Sequence, residues 1–432
     1  MIAALRRQTE LGLVVLGALI TVGLYTLASL GTTASIPANV VPFLGVILGL
    51  FGIAHVATRR FAPTADGTLL PIAGLLNGIG YVFIARLDKD LAGLQATWTA
   101  VGIGAYILTL VVVRRTREFD QYRYTFMLVG IGLLMLPLVP GVGRTINGAR
   151  IWVSIGPANF QPGEFAKIAL AIFFASYLVD KRAILSMTTR YGLPNLDLRH
   201  FGPIALAWAA SLVVMIAERD LGSSLLFFAL FIAMLWIATE RLSYLAIGFV
   251  LFAIGAVFSS IAFSHVNARI DVWLDPWSDS RGAGYQVVES QYALAWGGIT
   301  GTGPGLGNPG KIPAAENDFI FAAIGEELGL LGATAVLAAF LLFVGAGLRI
   351  ALKAEHPFDK MLATGLTTII GVQSFIIIGG VIRLVPLTGV TLPFVSYGGS
   401  SLIANYVLLA LLMRISASDD LPSVDRDETT LR

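Results

Sequence analysis

The chain has 432 residues, of which 56% are hydrophobic and 13% are charged, and its formal net charge is +2. Soluble domains carry about 25% charged residues, so this composition leaves too little polar surface to cover a water-soluble globule. The charged residues cluster between long apolar runs, which is typical of segments of about 20 residues that cross a ~30 Å hydrocarbon core. The sequence has no Cys and only four scattered His, which excludes disulfides and thiolate metal sites and argues against a zinc centre.

Apolar segments predict an all-α polytopic membrane protein with about twelve transmembrane helices. In chain order the segments are 11–31, 40–57, 69–86, 94–113, 124–140, 162–179, 203–217, 221–238, 242–264, 319–348, 361–382 and 401–413. Only Glu218, Arg219 and Asp220 separate the seventh segment from the eighth, so this division is the least secure. The first segment is longer than the roughly 7–15 apolar residues of a signal peptide and is therefore predicted to be a retained helix.

The distribution of Lys and Arg predicts the orientation of these spans. With the N-terminus placed in the cytoplasm, 19 of the 29 Lys and Arg residues fall on the cytoplasmic side and nine on the opposite side. Because cytoplasmic loops are enriched in Lys and Arg, both termini are predicted to be cytoplasmic. The acidic tail, 416–432, has little apolar surface to bury and is predicted to be disordered.

One extracytoplasmic loop, 264–318, is much longer than the others, and long loops in compact proteins are usually functional or disordered. Its sequence predicts a charged turn (DVWLDPWSDSRGAGYQ), a short helix (VVESQYALAW) and a Gly-rich turn (GGITGTGPGLGNPG). Gly305, Gly310 and Lys311 match part of a phosphate-binding P-loop, but Ile312 replaces the Ser or Thr that binds Mg²⁺, and no strand precedes the motif. We therefore expect tight turns here and no bound nucleotide.

Several ionisable residues are predicted at or near membrane depth, where a charge costs at least ~2.5–3.5 kcal/mol and therefore tends to pair or to act. Glu164 and Lys167 are three residues apart and share one helix face, so they form either a structural ion pair or a site for an anionic head group. For Glu326 and Glu327, either the helix starts outside the membrane or both are buried and partnered, and structural partnering is the favoured interpretation. Asp220 precedes the eighth span, where capping of the helix N-terminus and catalysis both remain open.

Two arginines, Arg144 and Arg150, lie in a short predicted extracytoplasmic loop (GRTINGARIW). Arg forms forked contacts with phosphate oxygens. Phosphate binding and simple surface solvation therefore both remain open for these residues.

Six motifs resemble the SEDS family (shape, elongation, division and sporulation) and occur in that family's order. They are NGARIW, QPGEFAKIAL, DLGSSL, LDPWSDSRGAGYQ, NDFIFAAIGEELGLLG and PLTGVTLPFVSYGGSS. Typical members have ten spans, so the resemblance implies a SEDS core at 67–415 and two additional N-terminal helices within 1–66. Within the family the chain is most similar to the cell-elongation branch (RodA), with the division branch (FtsW) as the alternative.

The resemblance implies a peptidoglycan glycosyltransferase of the bacterial cytoplasmic membrane that polymerises lipid II on the extracytoplasmic side. It also implies a class B penicillin-binding protein, a transpeptidase, as partner, contact with membrane lipids, and no nucleic acid. The competing interpretations are a lipid II flippase and a scaffold that only recruits the transpeptidase. A transporter is expected to show internal repeats with paired broken helices, and no such repeat is evident in the sequence.

The essential acidic residue of the family falls on Asp279, and the neighbouring Asp275 is a weaker candidate. We expect Asp279 to act as general base from a partly dry loop, taking the proton of the acceptor 4-hydroxyl. The residues expected to bind substrate are Arg150, Lys167, Arg144, Lys311, Glu164 and Asp220, and Arg219 is a further cation on that side. A divalent cation, Mg²⁺ or Mn²⁺, is an expected cofactor because hard cations bridge diphosphate oxygens and carboxylates, although the sequence shows no metal cage.

The chain departs from the family pattern at two positions near the last motif. Ile377 occupies a position often held by Asn, and Arg383 occupies one often held by Gly. Arg383 is therefore expected to place an additional cation near the outer cavity. The Pro- and Gly-rich segment that follows is predicted to line a cavity, because irregular backbone at membrane depth is tolerated only in such places.

Overall fold

The computed structural model describes residues 2–38, 40–146, 149–156, 158–187 and 220–418, with scattered residues between 202 and 218. Thirteen α-helices lie in these ranges. They are α1 (Ile2–Thr33), α2 (Val40–Phe61), α3 (Leu69–Leu87), α4 (Lys89–Val112), α5 (Arg123–Met135), α6 (Gly163–Leu185), α7 (Leu221–Thr239), α8 (Leu242–Ala262), α9 (Ser264–Leu274), α10 (Tyr285–Gly297), α11 (Ile320–Lys353), α12 (Pro357–Val381) and α13 (Gly399–Ser418).

Eleven of the twelve predicted spans coincide with these helices. Nine helices of the described residues are long and apolar enough to cross a membrane. The other two are α5, which a 3₁₀ turn (Leu136–Leu138) extends, and α6, which carries charged residues near both ends. Most of the predicted span 203–217 lies outside the described residues, as does the tail after 418. The count of twelve spans therefore stays a prediction.

The centre of the bundle is formed by α6, α12 and α13, whose residues are mostly buried, whereas α8 lies at the periphery and buries only Tyr244 and Gly248. Small residues allow the helices to approach closely, as is common in membranes. A Cβ on Gly102 of α4 would lie 2.5 Å from the ring of Tyr406 on α13, and one on Gly347 of α11 would lie 2.3 Å from the hydroxyl of Thr367 on α12. Glycine at these positions therefore sets the distance between the helices.

The two N-terminal helices are attached to the bundle through α3 and α4. A Cβ on Gly78 of α3 would lie 2.2 Å from the hydroxyl oxygen of Thr21 on α1. Glu10 of α1 is fully buried and pairs with His55 (2.6 Å) and Arg59 of α2. Because a buried charge is costly unless it is paired, this cluster ties α1 to α2.

A short sheet between α5 and α6 is an addition to the predicted all-α fold, which is otherwise confirmed. Strands β1 (Gly143–Ile146), β2 (Ala149–Ile155) and β3 (Ala158–Phe160) pair antiparallel in that order. Arg144 pairs with Trp152, and the register shifts between Arg144 and Ile146. These strands are too short and too irregular in register to show a period of two in the sequence.

Helix α11 is interrupted at Gly329, whose φ of 65° and ψ of −167° are accessible only to glycine. The interruption leaves backbone groups without partners inside the helix, and the segment after α10 supplies them. The N–H groups of Thr302 and Gly303 donate to the carbonyls of Glu326 and Glu327 (2.9 and 3.1 Å), and those of Leu330 and Leu331 donate to carbonyls of the same segment (2.9 and 3.1 Å). The broken helix and this segment thus satisfy each other.

Candidate active site on the loop face

The loop 264–318 covers one face of the bundle, which we call the loop face. It contains α9, a 3₁₀ turn (Pro276–Asp279), α10 and a second 3₁₀ turn (Pro309–Lys311). The predicted short helix is confirmed as α10, which begins two residues earlier than predicted. The first residues of the predicted charged turn belong to the end of α9.

Asp279 lies at the end of the first 3₁₀ turn. Its carboxylate accepts a hydrogen bond from the backbone N–H of Ala283 (2.8 Å), and its carbonyl accepts from Gly282 (3.1 Å) and Gly284 (3.0 Å). A Cβ at Gly282 would lie 2.3 Å from Oδ2 of Asp279. The side chain is exposed, so the expected partly dry environment was wrong: the N–H of Ala283, rather than burial, holds this carboxylate.

Asp275 has a structural role in the same turn. Its carboxylate accepts a hydrogen bond from the N–H of Trp277 (3.1 Å), and its carbonyl accepts from the hydroxyl of Ser278 (2.8 Å). These are the contacts of a residue that caps the start of a helical turn. Asp275 therefore supports the position of Asp279.

A cavity of about 230 Å³ lies beside this turn. Its walls include Arg269 of α9, Ala283 and Gln286 next to and in α10, Asp318 before α11, and Arg383 after α12. Ala283, whose N–H donates to the carboxylate of Asp279, is a wall residue, so Asp279 is one hydrogen bond away from the cavity wall. Arg383 places a guanidinium at the cavity, as its departure from the family pattern suggested, and Arg269 supplies a second one.

Asp318 is the acidic wall of this cavity. Its pKa is raised to about 6, chiefly by burial, which outweighs the opposing charge of nearby Arg269 and is reinforced by Glu316. Proton exchange near neutral pH is a property of groups that take part in acid–base chemistry, although structural carboxylates can share it. The cavity therefore has a titratable carboxylate, Asp318, in its wall.

Glu164 and Lys167 form a buried ion pair near the start of α6. The Lys167 ammonium lies 2.7 Å from Glu164 and donates to the side-chain oxygen of Gln373 on α12 (2.8 Å). The amide of Gln373 in turn donates to the carbonyl of Thr391 (2.7 Å). The chain of contacts links α6, α12 and the irregular segment after α12, so the predicted pairing is confirmed, and a direct role in binding substrate stays a prediction.

Asp220 caps α7, because its carboxylate accepts from the N–H of Ser223 (3.0 Å). Burial raises the pKa of Asp220; the hydrogen bond from Ser223 lowers it, the charge of Glu164 raises it, and Arg269 lowers it. Asp220 is thus within electrostatic reach of both the ion pair in α6 and the cavity. The capping alternative is confirmed, and a catalytic role stays a prediction.

The Gly-rich turn binds the two glutamates of α11, which are buried and partnered as predicted. Glu327 accepts from the N–H of Gly305 (2.8 Å) and lies 3.4 Å from Arg86 of α3, and Glu326 accepts from the N–H of Asn308 (2.7 Å). Arg86 also donates to a carbonyl of the same turn (3.1 Å). The turn is therefore fixed to α3 and α11.

Lys311 lies on a different side of α10 from the cavity beside Asp279. It lines a cleft of about 590 Å³, together with Glu289, Tyr292 and Trp296 of α10 and with Asn308. The ring of Tyr292 meets that of Trp277 edge to face at 5.5 Å, so the cleft adjoins the turn that carries Asp279. The structure does not bring Lys311 together with Arg269 and Arg383.

Arg144 and Arg150 lie in the short sheet. Arg144 is exposed on β1, and Arg150 on β2 donates to the carbonyl of Val139 (3.3 Å). Arg144 pairs with Trp152 inside the sheet, and Arg150 contacts the turn before it. The assignment of both arginines to the substrate site stays a prediction. Arg219 lies outside the described residues.

Three residues of the site were missed as candidates in the sequence. Gln373 is a polar side chain inside an apolar span, a signal that was available. Asp318 and Arg269 stand among many charged residues of the loop, and only the fold brings them to the wall of one cavity. Residues so far apart in the sequence show no local pattern that would predict their proximity.

These features define a multi-pass membrane protein with a charged cavity on one face, a class that the comparisons with known proteins narrow further. A sequence model of the FtsW/RodA/SpoVE family, described as cell cycle protein, matches residues 68–421. The chain belongs to this family. The matched residues begin after α2.

Curated relatives agree with this assignment. The chain is 43% identical to the peptidoglycan glycosyltransferase RodA of Mycobacterium tuberculosis (strain H37Rv), with 95% of this chain and 90% of that protein covered. It is 35% identical to the stage V sporulation protein E of Bacillus subtilis (strain 168), with 83% and 98% covered. It is 34% identical to the probable peptidoglycan glycosyltransferase FtsW of Geobacter metallireducens, with 78% and 85% covered.

Solved structures share the fold. A chain from a peptidoglycan synthase complex that coordinates polymerization and crosslinking superimposes with a TM-score of 0.69 at 25% identity, and 82% of this chain and 98% of that one are covered. The rod shape determining protein RodA of Thermus thermophilus superimposes with a TM-score of 0.59 at 24% identity, with 83% and 98% covered. The second similarity shows the fold alone.

Proposed function

We propose that this chain is a peptidoglycan glycosyltransferase that polymerises lipid II into β-1,4-linked glycan strands during cell elongation. The observation that carries the proposal is the hydrogen bond that the Asp279 carboxylate accepts from Ala283, a wall residue of the cavity that Arg269 also lines. A base next to a cavity with a cation in its wall suits the transfer of a sugar from a diphosphate. The curated relatives named above support the same reaction.

In the proposed reaction, Asp279 takes the proton of the acceptor 4-hydroxyl, and the freed oxygen attacks C1 of the donor sugar. The O4–C1 bond forms as the bond from C1 to the phosphate oxygen breaks, so the α-linked donor becomes a β-linked product. The leaving polyprenyl diphosphate carries the negative charge away. General-base assistance of this kind contributes about 10²–10⁴-fold.

Arginines suit the diphosphate because a guanidinium makes forked contacts with phosphate oxygens. Arg269 lines the cavity itself, whereas the guanidinium of Arg383 donates to carbonyls at the end of α9. Lys167 and Asp220 lie at the starts of α6 and α7. Among the described residues no group of three or more His, Asp or Glu is placed to hold a metal ion. The chain therefore fits Mg²⁺ or Mn²⁺ only as an ion held mainly by the diphosphate, and no step above depends on it.

The orientation and the partner follow from the same proposal. The loop face is placed on the extracytoplasmic side, because the opposite side carries 19 of the 29 Lys and Arg residues. A class B penicillin-binding protein is the proposed partner, and the similarity to a chain of a peptidoglycan synthase complex supports it. The division-type polymerase is the alternative within the same family.

Polymerisation of lipid II by the purified protein, with and without its partner, tests the proposal. Asp279→Asn keeps an oxygen for the N–H of Ala283 but cannot take a proton, so it should lose at least about 100-fold in rate. Asp275→Asn is the matched control, because an Asn can cap the turn as well as Asp, and it should retain activity. Normal polymerisation by Asp279→Asn would show that this carboxylate is not the base.

The interrupted helix α11 also suits a flippase, since transporters use broken helices at their substrate sites. The same preparation in lipid vesicles decides between the two functions. Movement of lipid II across the bilayer without any glycan product would favour the flippase.

A further inference from the structure

Arg383 has an unusual backbone conformation for a residue with a side chain. Its φ of 61° lies in the left-handed region, which disfavours any residue with a Cβ and is the default place for glycine. The resemblance to the SEDS family implies that Gly often occupies this position. Arg383 therefore has a backbone conformation that favours glycine, and the contacts of its side chain are the feature that a glycine would lack.

The side chain of Arg383 reaches the C-terminal end of α9. Its guanidinium donates to the carbonyl of Trp273 (2.8 Å) and to that of Leu274 (3.1 Å), and the indole N–H of Trp273 donates back to the carbonyl of Arg383 (3.0 Å). The last carbonyls of a helix have no partner inside the helix and carry partial negative charge. Arg383 thus satisfies two of them and forms, with Trp273, a reciprocal contact that we call the clasp.

The clasp acts on the segment that carries Asp279. Leu274 is the last residue of α9, Asp275 caps the following 3₁₀ turn, and Asp279 ends that turn. Two further contacts join the loop to the same region: Gln291 of α10 donates to the carbonyl of Val381 (2.9 Å), and Arg269 of α9 donates to that of Leu387 (2.9 Å). Of these three, the clasp is the closest in sequence to Asp279.

We propose that Arg383 is a positioning residue. Its clasp on the end of α9 fixes the turn of Asp279 relative to the C-terminal end of α12. The inference rests on the proposed function of Asp279 as base. Its basis in this structure is the pair of contacts to helix-end carbonyls together with a positive φ that a glycine would adopt with less strain. An error of about 1 Å in the position of a catalytic group can cost 10²-fold in rate.

The variant Arg383→Gly separates positioning from stability, because glycine is the residue that the backbone prefers there. We expect unchanged or higher thermal stability, a 10- to 100-fold lower kcat for lipid II polymerisation, and a KM within about twofold of the wild type. Guanidinium ion at millimolar concentration should restore part of the rate, and urea at the same concentration should not. Arg383→Lys keeps the charge but not the planar guanidinium, and it should recover less than full activity.

Glu240→Gly is the matched control. Glu240 also has a positive φ (57°) and also reaches a neighbouring helix, through an exposed pair with Arg182 (2.6 Å) at the end of α7. This variant should polymerise lipid II at the wild-type rate. Loss of activity there to the same extent as in Arg383→Gly would overturn the inference.

Hydrogen exchange of the peptide 274–284 tests the clasp independently of activity. In Arg383→Gly this peptide should exchange at least several-fold faster than in the wild type and in Glu240→Gly. Unchanged exchange, a wild-type kcat, or a loss confined to KM would each overturn the positioning role, the last because it would indicate a direct contact with substrate. Absence of polymerisation by the wild type would instead refute the proposed function, and the exchange result would still decide whether the clasp holds the turn.

Discussion

Replacement of Lys167 is the most informative perturbation of the membrane-embedded part of the site. Lys167→Met removes two short contacts, 2.7 Å to Glu164 and 2.8 Å to Gln373, and leaves the Glu164 carboxylate buried without its cation. Breaking a buried pair from one side costs about 3–5 kcal/mol, mostly through the charge left behind. At about 2 °C per kcal/mol, the low end for domains of 150–250 residues, the melting temperature should fall by roughly 6–10 °C.

The double variant Glu164→Gln with Lys167→Met removes both charges and should be more stable than Lys167→Met alone. Thermal unfolding is measured for the wild type, for Glu164→Gln, for Lys167→Met and for the double variant in one detergent or nanodisc preparation. The four values give the coupling energy of the pair. The pair Arg123–Asp180 is the control, since it is of similar length (2.9 Å) but partly exposed, and Arg123→Met should cost about 1 kcal/mol or less. A double variant that is destabilised by the sum of the two single changes would refute the reasoning.

The same proteins distinguish the two interpretations of this pair. If the stable double variant polymerises lipid II normally, the pair is structural. A higher KM at unchanged stability would instead show that the pair contacts the lipid-linked substrate.

Three further changes test other parts of the structure. Gly31→Val should push α1 away from the Gly-rich turn, because a Cβ there would lie 2.3 Å from a carbonyl of that turn. Hydrogen exchange of residues 303–307 should therefore become faster. Gly23→Val is the control, since Gly23 faces open space, and it should leave this exchange unchanged. Burial raises the pKa of Asp318 to about 6 from 3.8, so between these pH values the folded state keeps a proton that the unfolded chain releases. The stability of the fold should therefore decrease as the pH rises from about 4 to 6. Asp318→Asn should remove this pH dependence of thermal unfolding. Gly282→Ala should displace the carboxylate of Asp279 and lower the polymerisation rate about tenfold or more without changing the melting temperature; a wild-type rate would contradict the geometry described for this turn.

The sequence predicted those features that depend on local pattern. Apolar length identified the spans, because only a helix satisfies its own backbone inside a bilayer. A spacing of three residues predicted the pairing of Glu164 with Lys167, since this spacing places both on one helix face. The burial of Glu326 and Glu327 followed from their distance beyond the start of a span.

Features that depend on contacts between distant segments were not predictable in this way. The interruption at Gly329 has no breaking signal beyond a single glycine in a predicted span, and it is stable because a segment 24 to 32 residues earlier supplies its hydrogen bonds. Asp279 was expected to be partly dry, yet the way its turn projects from the bundle leaves it exposed. The contact between Trp273 and Arg383 joins residues 110 positions apart, and no local pattern reports it.

The position of Asp279 is determined by contacts that fix the backbone of the loop on both sides of it, a set of contacts that we call the frame, rather than by a closed pocket. Its carboxylate has one described hydrogen bond, from Ala283, and is otherwise open, which suits a base that must meet two large lipid-linked sugars. Such openness requires that the surrounding backbone be fixed from elsewhere. The clasp of Arg383 fixes the segment before the turn, and the contacts of the Gly-rich turn with Glu327 and α3 fix the segment after α10. Substitutions in this frame should therefore affect the rate of polymerisation more than they affect the stability of the fold.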